Sequence, residues 1–546
     1  DPGSGGLTIW ASSQGAFSVR EGVCQALGLE PDKVRVISAD VGGGFGPKFG
    51  LYPEQLVVAT LAQRLGRQVR WVETRSENLV AMYHGRGQSQ ELELGAKRDG
   101  TLVGIRARIV QDVGAYPQIS VILPTLTALM LSGVYRIPKI QVQSTAVVTN
   151  TTPTSAYRGA GRPEATALLE RSIDLMAREL NMDPAELRRR NFIDPAAFPV
   201  TTSSGAHYDS GDYRKAFDRA LELGRYQDLR REQEERRANG DRRQLGIGLS
   251  AYVEITGGAG PAEYGAVRVA GDGQVTVFAG TTPSGQGHET ALAQVAAERL
   301  QVPMDRITVV HSDTAQVKWG FGTVGSRSMQ MAGSAVDDAA LQVVEEARKL
   351  AGEMLEADPA DLEVADGGLR VRGVPTSGVS WADVAGKAGS EGLRADVDFK
   401  QQGPTFPFGA HLSVVEVDVE TGDVRQRQHI AVDDCGTILN PLIVQGQQHG
   451  GVAQGLAQSL FEEVVFDADG NPRTASLIDY GIPTANEIPF VLSENTVTPT
   501  PLNSLGVKGI GESGTIGAGP AVHNAVLDAL SGHGVRHLDM PLTPEK

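Results

Sequence analysis

Hydrophobic and polar positions alternate with the two-residue period of a β-strand at Leu7–Trp10. A polar loop follows, then a stretch with helical spacing up to Leu27 and a second strand, Val34–Ile37. The same order recurs later, as a strand at Val275–Ala279, a polar loop at 280–287, a helix at His288–Leu300 and a strand at 307–310. The favoured interpretation is one strand–loop–helix–strand unit used twice; the alternative is that two common α/β units are merely alike.

Further elements follow from periodicity and turn residues. They are helices at 53–65, 163–180 and 184–190, a hairpin at 266–278 around Asp272-Gly273, and strands at 414–419 and 427–432. Helices and strands mix without strict alternation, so the predicted fold class is α+β. The charged stretch at 222–241 is interpreted as a connector. The predicted organisation is therefore a lobe at 1–225, a connector at 226–245 and a similar mixed α/β lobe at 246–546.

Charge and cysteine content exclude several classes of protein. The net charge of −16 argues against a nucleic-acid-binding face. The two cysteines, Cys24 and Cys435, form no CxxC pair, so an iron–sulfur cluster or structural zinc within the chain is not expected and a reducing cytoplasm is the default. The most apolar stretch, 119–134, is interrupted by Pro124, so no membrane span is predicted. The first residue is Asp1 rather than Met, which suggests a trimmed chain.

The 66 glycines cluster in short loops. Gly42, Gly43 and Gly44 directly precede Phe45 and Gly46, and such a run exposes backbone N–H groups to an anionic or oxo ligand. Pro47 interrupts both the dinucleotide fingerprint and the Walker A loop. A tight turn is the alternative.

A second loop, 156–162, precedes a helix that begins near Pro163. Its arginines, Arg158 and Arg162, lie beside the positive end of that helix, which indicates a corner that orients an anion or a substrate. Two arginines on a surface loop are the alternative.

Three later segments carry further candidate chemistry. Gly285, Gln286 and Gly287 open a helix, and His288 is interpreted as structural because no HExxH completes a zinc site. Residues 322–329 form a polar glycine loop with Ser326 and Ser328, for which a turn is the alternative. Glu512 follows Gly511 in a glycine-rich loop, where a carboxylate can act as a general base. Cys435 and His449 are interpreted as packing residues.

Taken in order, these segments resemble the molybdopterin-binding subunit of the xanthine dehydrogenase and aerobic carbon monoxide dehydrogenase superfamily. The resemblance rests on Ser13-Gln14, 42–46, 156–164, 183–191, 285–287, 325–328, Gln454-Gly455 and 508–512, which span nearly the whole chain. It implies two similar mixed lobes of the cofactor-binding domain of aldehyde oxidase and xanthine dehydrogenase. It also implies that a family region precedes Asp1.

The resemblance implies a molybdenum ion held by the dithiolene of a pterin, usually a cytosine dinucleotide, with no direct protein ligand. It assigns Gln14 to a molybdenum oxo group, Gly43–Gly46 with Phe45 to the metal site, and Gly285, Gln286, Gly287, Ser326, Ser328, Gln454 and Gly511 to the cofactor. Arg158 would support the site near the metal. Glu512 would be the base that deprotonates a hydroxyl at the metal, and the cofactor would carry the redox chemistry.

Departures from the family narrow the expected substrate to an aldehyde or an N-heteroaromatic compound. Gly159 stands where carbon monoxide dehydrogenases carry a copper-binding Cys, and Phe49 follows Lys48 where xanthine enzymes carry Glu. Carbon monoxide oxidation and a non-catalytic cofactor-binding or assembly role remain alternatives, although Gln14 and Glu512 are both retained. An unrelated NAD-linked dehydrogenase is disfavoured by Pro47.

The expected electron acceptors lie outside the chain. No flavin signature or cysteine cluster occurs in the sequence, so the resemblance implies an iron–sulfur subunit with [2Fe-2S] clusters and an FAD-binding subunit. A dimer of heterotrimers is one assembly that fits this expectation.

Overall fold

The computed structural model describes residues 5–365 and 367–546. Residues pack into two compact units that are discontinuous in sequence. Unit 1 contains 1–72, 257–404 and 502–507, and unit 2 contains 73–256, 405–501 and 508–546. Within the described part of the chain, no helix combines the length and the apolar character that crossing a membrane requires.

The strands and helices mix as the α+β class requires, which confirms the predicted class. The strands are β1 (Leu7–Trp10), β2 (Val34–Ile37), β3 (Gln88–Ala96), β4 (Leu102–Gly114), β5 (Ile140–Val148), β6 (Val200–Thr201), β7 (His207–Tyr208), β8 (Arg243–Val253), β9 (Glu263–Val269), β10 (Val275–Ala279), β11 (Ile307–His311), β12 (Leu362–Ala365), β13 (Gly368–Val371), β14 (Gly378–Ser380), β15 (Leu393–Phe399), β16 (Phe408–Asp418), β17 (Val424–Asp434) and β18 (Val491–Thr496). The helices are α1 (Ala16–Leu27), α2 (Pro53–Leu65), α3 (Arg75–Ala81), α4 (Leu123–Met130), α5 (Arg162–Glu179), α6 (Pro184–Asn191), α7 (Tyr213–Leu223), α8 (Tyr226–Asn239), α9 (His288–Leu300), α10 (Ser334–Leu355), α11 (Trp381–Ala388), α12 (Pro441–Leu460) and α13 (Ser513–Ala529).

Unit 1 contains both copies of the predicted strand–loop–helix–strand unit. Strand β1 pairs in parallel with β2 across α1, and β10 pairs in parallel with β11 across α9. The hairpin around Asp272-Gly273 forms as predicted, and its strands extend into a four-stranded sheet in the order β11-β10-β9-β15. Apolar side chains of Phe17, Tyr264 and Phe278 pack together beside this sheet.

The grouping of the two copies differs from the predicted lobes, which assigned one copy to each. The end of β2 and the segment after β11 join in unit 1, because Ser38 N donates to the Ser312 carbonyl at 2.8 Å and Ile37 bridges Asp313. Arg35 adds an ion pair to Asp313, whose pKa falls to about 2; burial opposes this shift, but the hydrogen bonds from Arg35 and Gln316 outweigh it. Contacts in space therefore do not follow chain order, and the lobe boundaries stay a prediction about the sequence.

Unit 2 is built on a four-stranded sheet in the order β18-β17-β16-β8. Helix α13 packs against β8 and β16 and also against α12 and α5. Strand β8 and helix α13 approach closely because the residues between them are small. A Cβ on Gly248 would lie 2.0 Å from the Ala521 carbonyl oxygen. The charged segment interpreted as a connector forms α8, which buries Tyr226, Leu229 and Gln233 in this unit.

Candidate active site

Gln14 of unit 1 is buried and oriented by its own unit. Its Oε1 accepts hydrogen bonds from the backbone N–H groups of Gly46 (3.0 Å) and Lys48 (3.2 Å), and its Nε2 donates to the Thr323 carbonyl (2.7 Å). An amide nitrogen carries two hydrogens. One N–H of Gln14 therefore remains for a ligand oxygen, which suits the predicted contact to an oxo group.

The glycine loop beside Gln14 needs glycine for two different reasons. Gly43 and Gly46 have φ values of +83° and +108°, which side-chain-bearing residues rarely adopt. At Gly44 the reason is space, because a Cβ would lie 2.5 Å from Cγ of Gln14. Phe45 presents 48% of its surface to solvent at the tip of this loop.

Gly44→Ala is expected to displace the Gln14 amide and to lower the molybdenum content of the purified protein several-fold. The added methyl group and the Gln14 side chain cannot occupy the same space. Gly42→Ala is the matched control, because a Cβ at Gly42 meets nothing within 4 Å. Equal molybdenum content in the two variants, measured by elemental analysis, would contradict the packing role of Gly44.

The loop at 284–287 ends at the start of α9. Gly287 takes φ +73° as the N-cap residue and provides no side-chain cap, so the first turn of α9 has N–H groups for an anion. Gln286 turns inward, since its Oε1 accepts from Ser284 N. The Ser284 hydroxyl is buried and has no hydrogen-bonding partner among the described residues. This donor set fits an anionic, oxygen-rich group such as a phosphate.

A cluster of hydroxyl groups connects this loop with the 322–329 loop in unit 1. The Thr281 hydroxyl lies 2.8 Å from the hydroxyls of both Thr323 and Ser328, and Thr323 donates to the Thr282 carbonyl at 2.6 Å. Ser326 has a φ of +52° at the turn of the same loop. The sequence pointed to Ser326 and Ser328 but not to the threonines, although Thr281 and Thr282 lie in the polar loop at 280–287 and Thr323 lies in the loop at 322–329.

A buried ion pair between Arg327 and Glu263 lies behind these loops. Arg327 Nη1 donates to Glu263, and Nη2 donates to the Ala262 carbonyl at 2.7 Å. Glu263 Oε1 also accepts from Phe321 N at 3.1 Å. Burial raises the pKa of Glu263, and the adjacent Arg327 opposes that rise. The pair therefore fixes the 320–328 backbone from within the core.

Arg158 of unit 2 is buried, which excludes the surface-loop alternative. Its Nε donates to the Gly511 carbonyl (2.5 Å), Nη1 to Oε1 of Gln454 (2.9 Å), and Nη2 to the Gln447 carbonyl (3.1 Å). Burial lowers its pKa from the usual value, but an arginine stays charged. Arg158 thus joins two predicted site residues, Gly511 and Gln454, to Gln447, which was not predicted, and sets the path of the loop that carries Glu512.

Glu512 lies directly before α13, with 13% of its side chain exposed. Its Oε1 accepts from the backbone N–H of Gly159 at 2.8 Å and from Arg162 Nη2 at 3.2 Å. Gly159 has a φ of +99°, and a Cβ there would lie 2.3 Å from Cγ of Pro163. The carboxylate is therefore oriented by a backbone amide that requires glycine and by an arginine at the start of α5.

Of the residues predicted to be structural, Cys435 and His288 are buried and His449 is partly buried. Burial raises the pKa of the Cys435 thiol to about 12, and it lowers the pKa of His288 to about 3, with a further contribution from His311. His449 Nε2 lies 3.0 Å from the Ser493 hydroxyl. Across the described residues, no group of three His, Cys, Asp or Glu side chains is placed to hold a metal ion.

Two family models, each described as "Molybdopterin cofactor-binding domain", match residues 1–192 and 219–489. The donors of unit 1, which are amide, hydroxyl and backbone N–H groups around glycine loops, fit such a cofactor. Fold and site together define a molybdopterin-binding protein.

Known proteins resemble the whole chain. The "Carbon monoxide dehydrogenase large chain" of Hydrogenophaga pseudoflava is 39% identical over 100% of this chain and 70% of its own length. The "6-hydroxypseudooxynicotine dehydrogenase complex subunit gamma" of Paenarthrobacter nicotinovorans is 37% identical over the same shares of the two chains. The crystal structure of quinoline 2-oxidoreductase from Pseudomonas putida 86 has a TM-score of 0.94 at 36% identity, over 99% of this chain and 71% of that one.

The chain therefore belongs to the xanthine dehydrogenase family, as a molybdenum-binding large subunit of the molybdenum hydroxylase type of oxidoreductase. The resemblance predicted from the sequence is confirmed, and so is molybdenum–molybdopterin as the cofactor. The roles of individual site residues stay predictions.

Proposed function

We propose that this chain is the catalytic subunit of a hydroxylase that acts on an N-heteroaromatic compound or an aldehyde. The reaction is R–H + H2O → R–OH + 2 H⁺ + 2 e⁻, in which a C–H bond is replaced by a C–O bond and the oxygen comes from water. Bound molybdenum–molybdopterin supplies the two-electron oxidation. The electrons pass to an iron–sulfur subunit with [2Fe-2S] clusters and then to an FAD-binding subunit. Relatives named as a large chain and as a complex subunit support such partners.

The loops of unit 1 hold the cofactor in this proposal. Gln14 donates its remaining amide hydrogen to an oxygen of the cofactor. The start of α9 and the Ser284 hydroxyl are the proposed binding groups for phosphate oxygens of the cofactor, and the proposed form of the pterin is the cytosine dinucleotide. Gly285 leaves room for this group, because a Cβ there would meet nothing within 4 Å.

The observation that carries the proposal is the held carboxylate of Glu512. Gly159 N–H and Arg162 fix Oε1, so the carboxylate has one orientation before substrate binds. A fixed carboxylate can accept a proton as the C–O bond forms, and this is the role of a general base. Arg158 is a positioning residue here, because it holds the Gly511 carbonyl beside Glu512.

Gly159→Cys is expected to yield no carbon monoxide oxidation and to lower the native activity at least tenfold. By resemblance, the copper-binding Cys of carbon monoxide dehydrogenases corresponds to Gly159, where φ is +99° and a Cβ would lie 2.3 Å from Cγ of Pro163. The side chain would shift the amide that holds Glu512. A copper-loaded variant that oxidises carbon monoxide to CO2 with a dye as electron acceptor would contradict this.

The test of the proposal uses the intact complex from a molybdate-replete host. We expect about one molybdenum per chain, release of cytidine monophosphate on acid hydrolysis, and dye reduction with quinoline-type heterocycles or aldehydes. Product formed in ¹⁸O-labelled water is expected to carry the label. A complex without molybdenum would favour a non-catalytic role, and oxidation of carbon monoxide alone would overturn the proposed substrate class.

A further inference from the structure

Glu254 is a fully buried carboxylate that directly follows strand β8. Its backbone N–H donates to the Pro407 carbonyl at 2.8 Å, which fixes its place at the end of the sheet. The residues before it in β8 are almost all buried and mostly apolar. Burying a charged group in such surroundings costs free energy unless it is paired, so the partners of Glu254 indicate its role.

Glu254 contacts Arg162, which also contacts Glu512, and Ser513, which directly follows Glu512. Glu254 Oε2 accepts from the hydroxyl of Ser513, the first residue of α13, at 2.8 Å. Glu254 Oε1 lies 3.9 Å from Arg162 Nη2, and the same nitrogen lies 3.2 Å from Glu512 Oε1. Arg162 therefore faces two carboxylates in unit 2, one at the proposed base and one behind it.

We propose that Glu254 is a positioning residue for Glu512, acting through Arg162 and Ser513. The inference rests on the proposed function of Glu512 as the base. An arginine that faced Glu512 alone would stabilise the carboxylate and weaken it as a base. Sharing Arg162 with Glu254 reduces that effect, while the bond to Ser513 fixes the start of α13.

Other charged and polar groups near Glu512 bear on the same argument. Arg158, on the 156–162 loop, interacts electrostatically with both Glu512 and Glu254, and its nitrogens donate to Gly511, Gln454 and Gln447. Helix α12, which packs against α13, contributes the neutral Gln447, Gln448 and Gln454, and its titratable His449 has Nε2 3.0 Å from the Ser493 hydroxyl. Lys508 is directed elsewhere, because its Nζ donates to the carbonyls of Ser210 and Phe406.

The test compares Glu254→Gln with Glu170→Gln in the intact complex. Glu170 is a matched control, because it is also fully buried in unit 2 and is paired with an arginine, Arg188. We expect Glu254→Gln to move the acid limb of the pH profile of kcat/KM to lower pH by about half to one unit. In the same variant, the plateau value of kcat/KM should fall roughly 3- to 30-fold. Glu170→Gln should lower stability without moving the limb.

A second readout does not depend on turnover. Infrared titration of the Glu512 carboxyl band in cofactor-free protein, with the band assigned from Glu512→Gln, should show the same downward shift in Glu254→Gln. An unmoved band, or an equal shift in Glu170→Gln, overturns the inference even if Glu512 is the base. Full activity of Glu512→Gln would instead reject the proposed function.

A shortened variant covers the case in which Glu254→Gln does not fold. Glu254→Asp keeps the charge but withdraws it from Ser513 and Arg162, so kcat should fall about 3- to 10-fold with molybdenum content unchanged. Wild-type kcat in Glu254→Asp would also overturn the inference.

Discussion

Glu512→Gln is expected to lower kcat by about 10²- to 10⁴-fold while molybdenum and pterin content stay near wild type. Glutamine has the shape of glutamate, and its Oε1 can still accept from Gly159 N and Arg162 Nη2. The loop and the start of α13 should therefore keep their positions. The amide cannot take up a proton at the pH of the assay, so the base function alone is lost.

The control for this variant is Glu512→Asp, which keeps a carboxylate but shortens it by one methylene group. It should retain more activity than Glu512→Gln, because a displaced base is better than none. Steady-state rates with a dye acceptor, normalised to molybdenum, separate the two effects. Turnover of Glu512→Gln within a factor of three of wild type would remove Glu512 from the mechanism and leave another group to accept the proton.

Local elements were the part of the fold that sequence could predict. The helix at 53–65 has the predicted bounds, and Asp183 caps α6 by accepting from the N–H groups of Ala185 and Glu186. Helix α5 begins at Arg162, one residue before the predicted start at Pro163. Strand β17 is longer than predicted at both ends, whereas β16 begins earlier, at Phe408, and ends one residue early, at Asp418. Pairing of β16 with β17 and β8 holds residues that carry no strong strand signal.

Long-range grouping could not be predicted from periodicity. Nothing in the alternation of residues 34–37 indicates that the end of β2 hydrogen-bonds Ser312, and this contact is what gathers both strand–loop–helix–strand copies into unit 1. Thr281 and Thr323, whose hydroxyls form a cluster with the predicted Ser328, were not predicted for the same reason. The glycine loops could be predicted because they need local conformations that only glycine adopts easily, so the glycines themselves are visible in the sequence.

Buried charged residues could be predicted in part: their positions are visible in the sequence, but their partners are not. Glu254 ends an apolar strand and Arg327 lies in a glycine loop, so each is visible as an oddity of sequence. Their partners, Arg162 and Glu263, are visible only in the folded chain. The sequence can therefore show where a charged residue needs a partner, but only the tertiary structure shows which residue is that partner.

Arg327→Met is expected to lower the free energy of unfolding by about 3–5 kcal/mol, because it leaves the Glu263 carboxylate buried without its counter-charge. The Ala262 carbonyl loses a donor as well. The double variant Glu263→Gln/Arg327→Met should recover much of the loss, since Gln keeps an oxygen for Phe321 N and removes the charge. Urea unfolding measures both.

Arg106→Met is the control, because the Arg106–Glu93 pair is largely exposed and such pairs contribute about 0–1 kcal/mol. Molybdenum content provides the link to function. Arg327 Nη1 and Glu263 hold the backbone that presents Thr323 and Ser328, so Arg327→Met should also lose cofactor. If the double variant regains stability but not molybdenum, the ion pair itself shapes the cofactor loop. If it regains both, the loss in Arg327→Met comes only from burying the Glu263 carboxylate without a counter-charge.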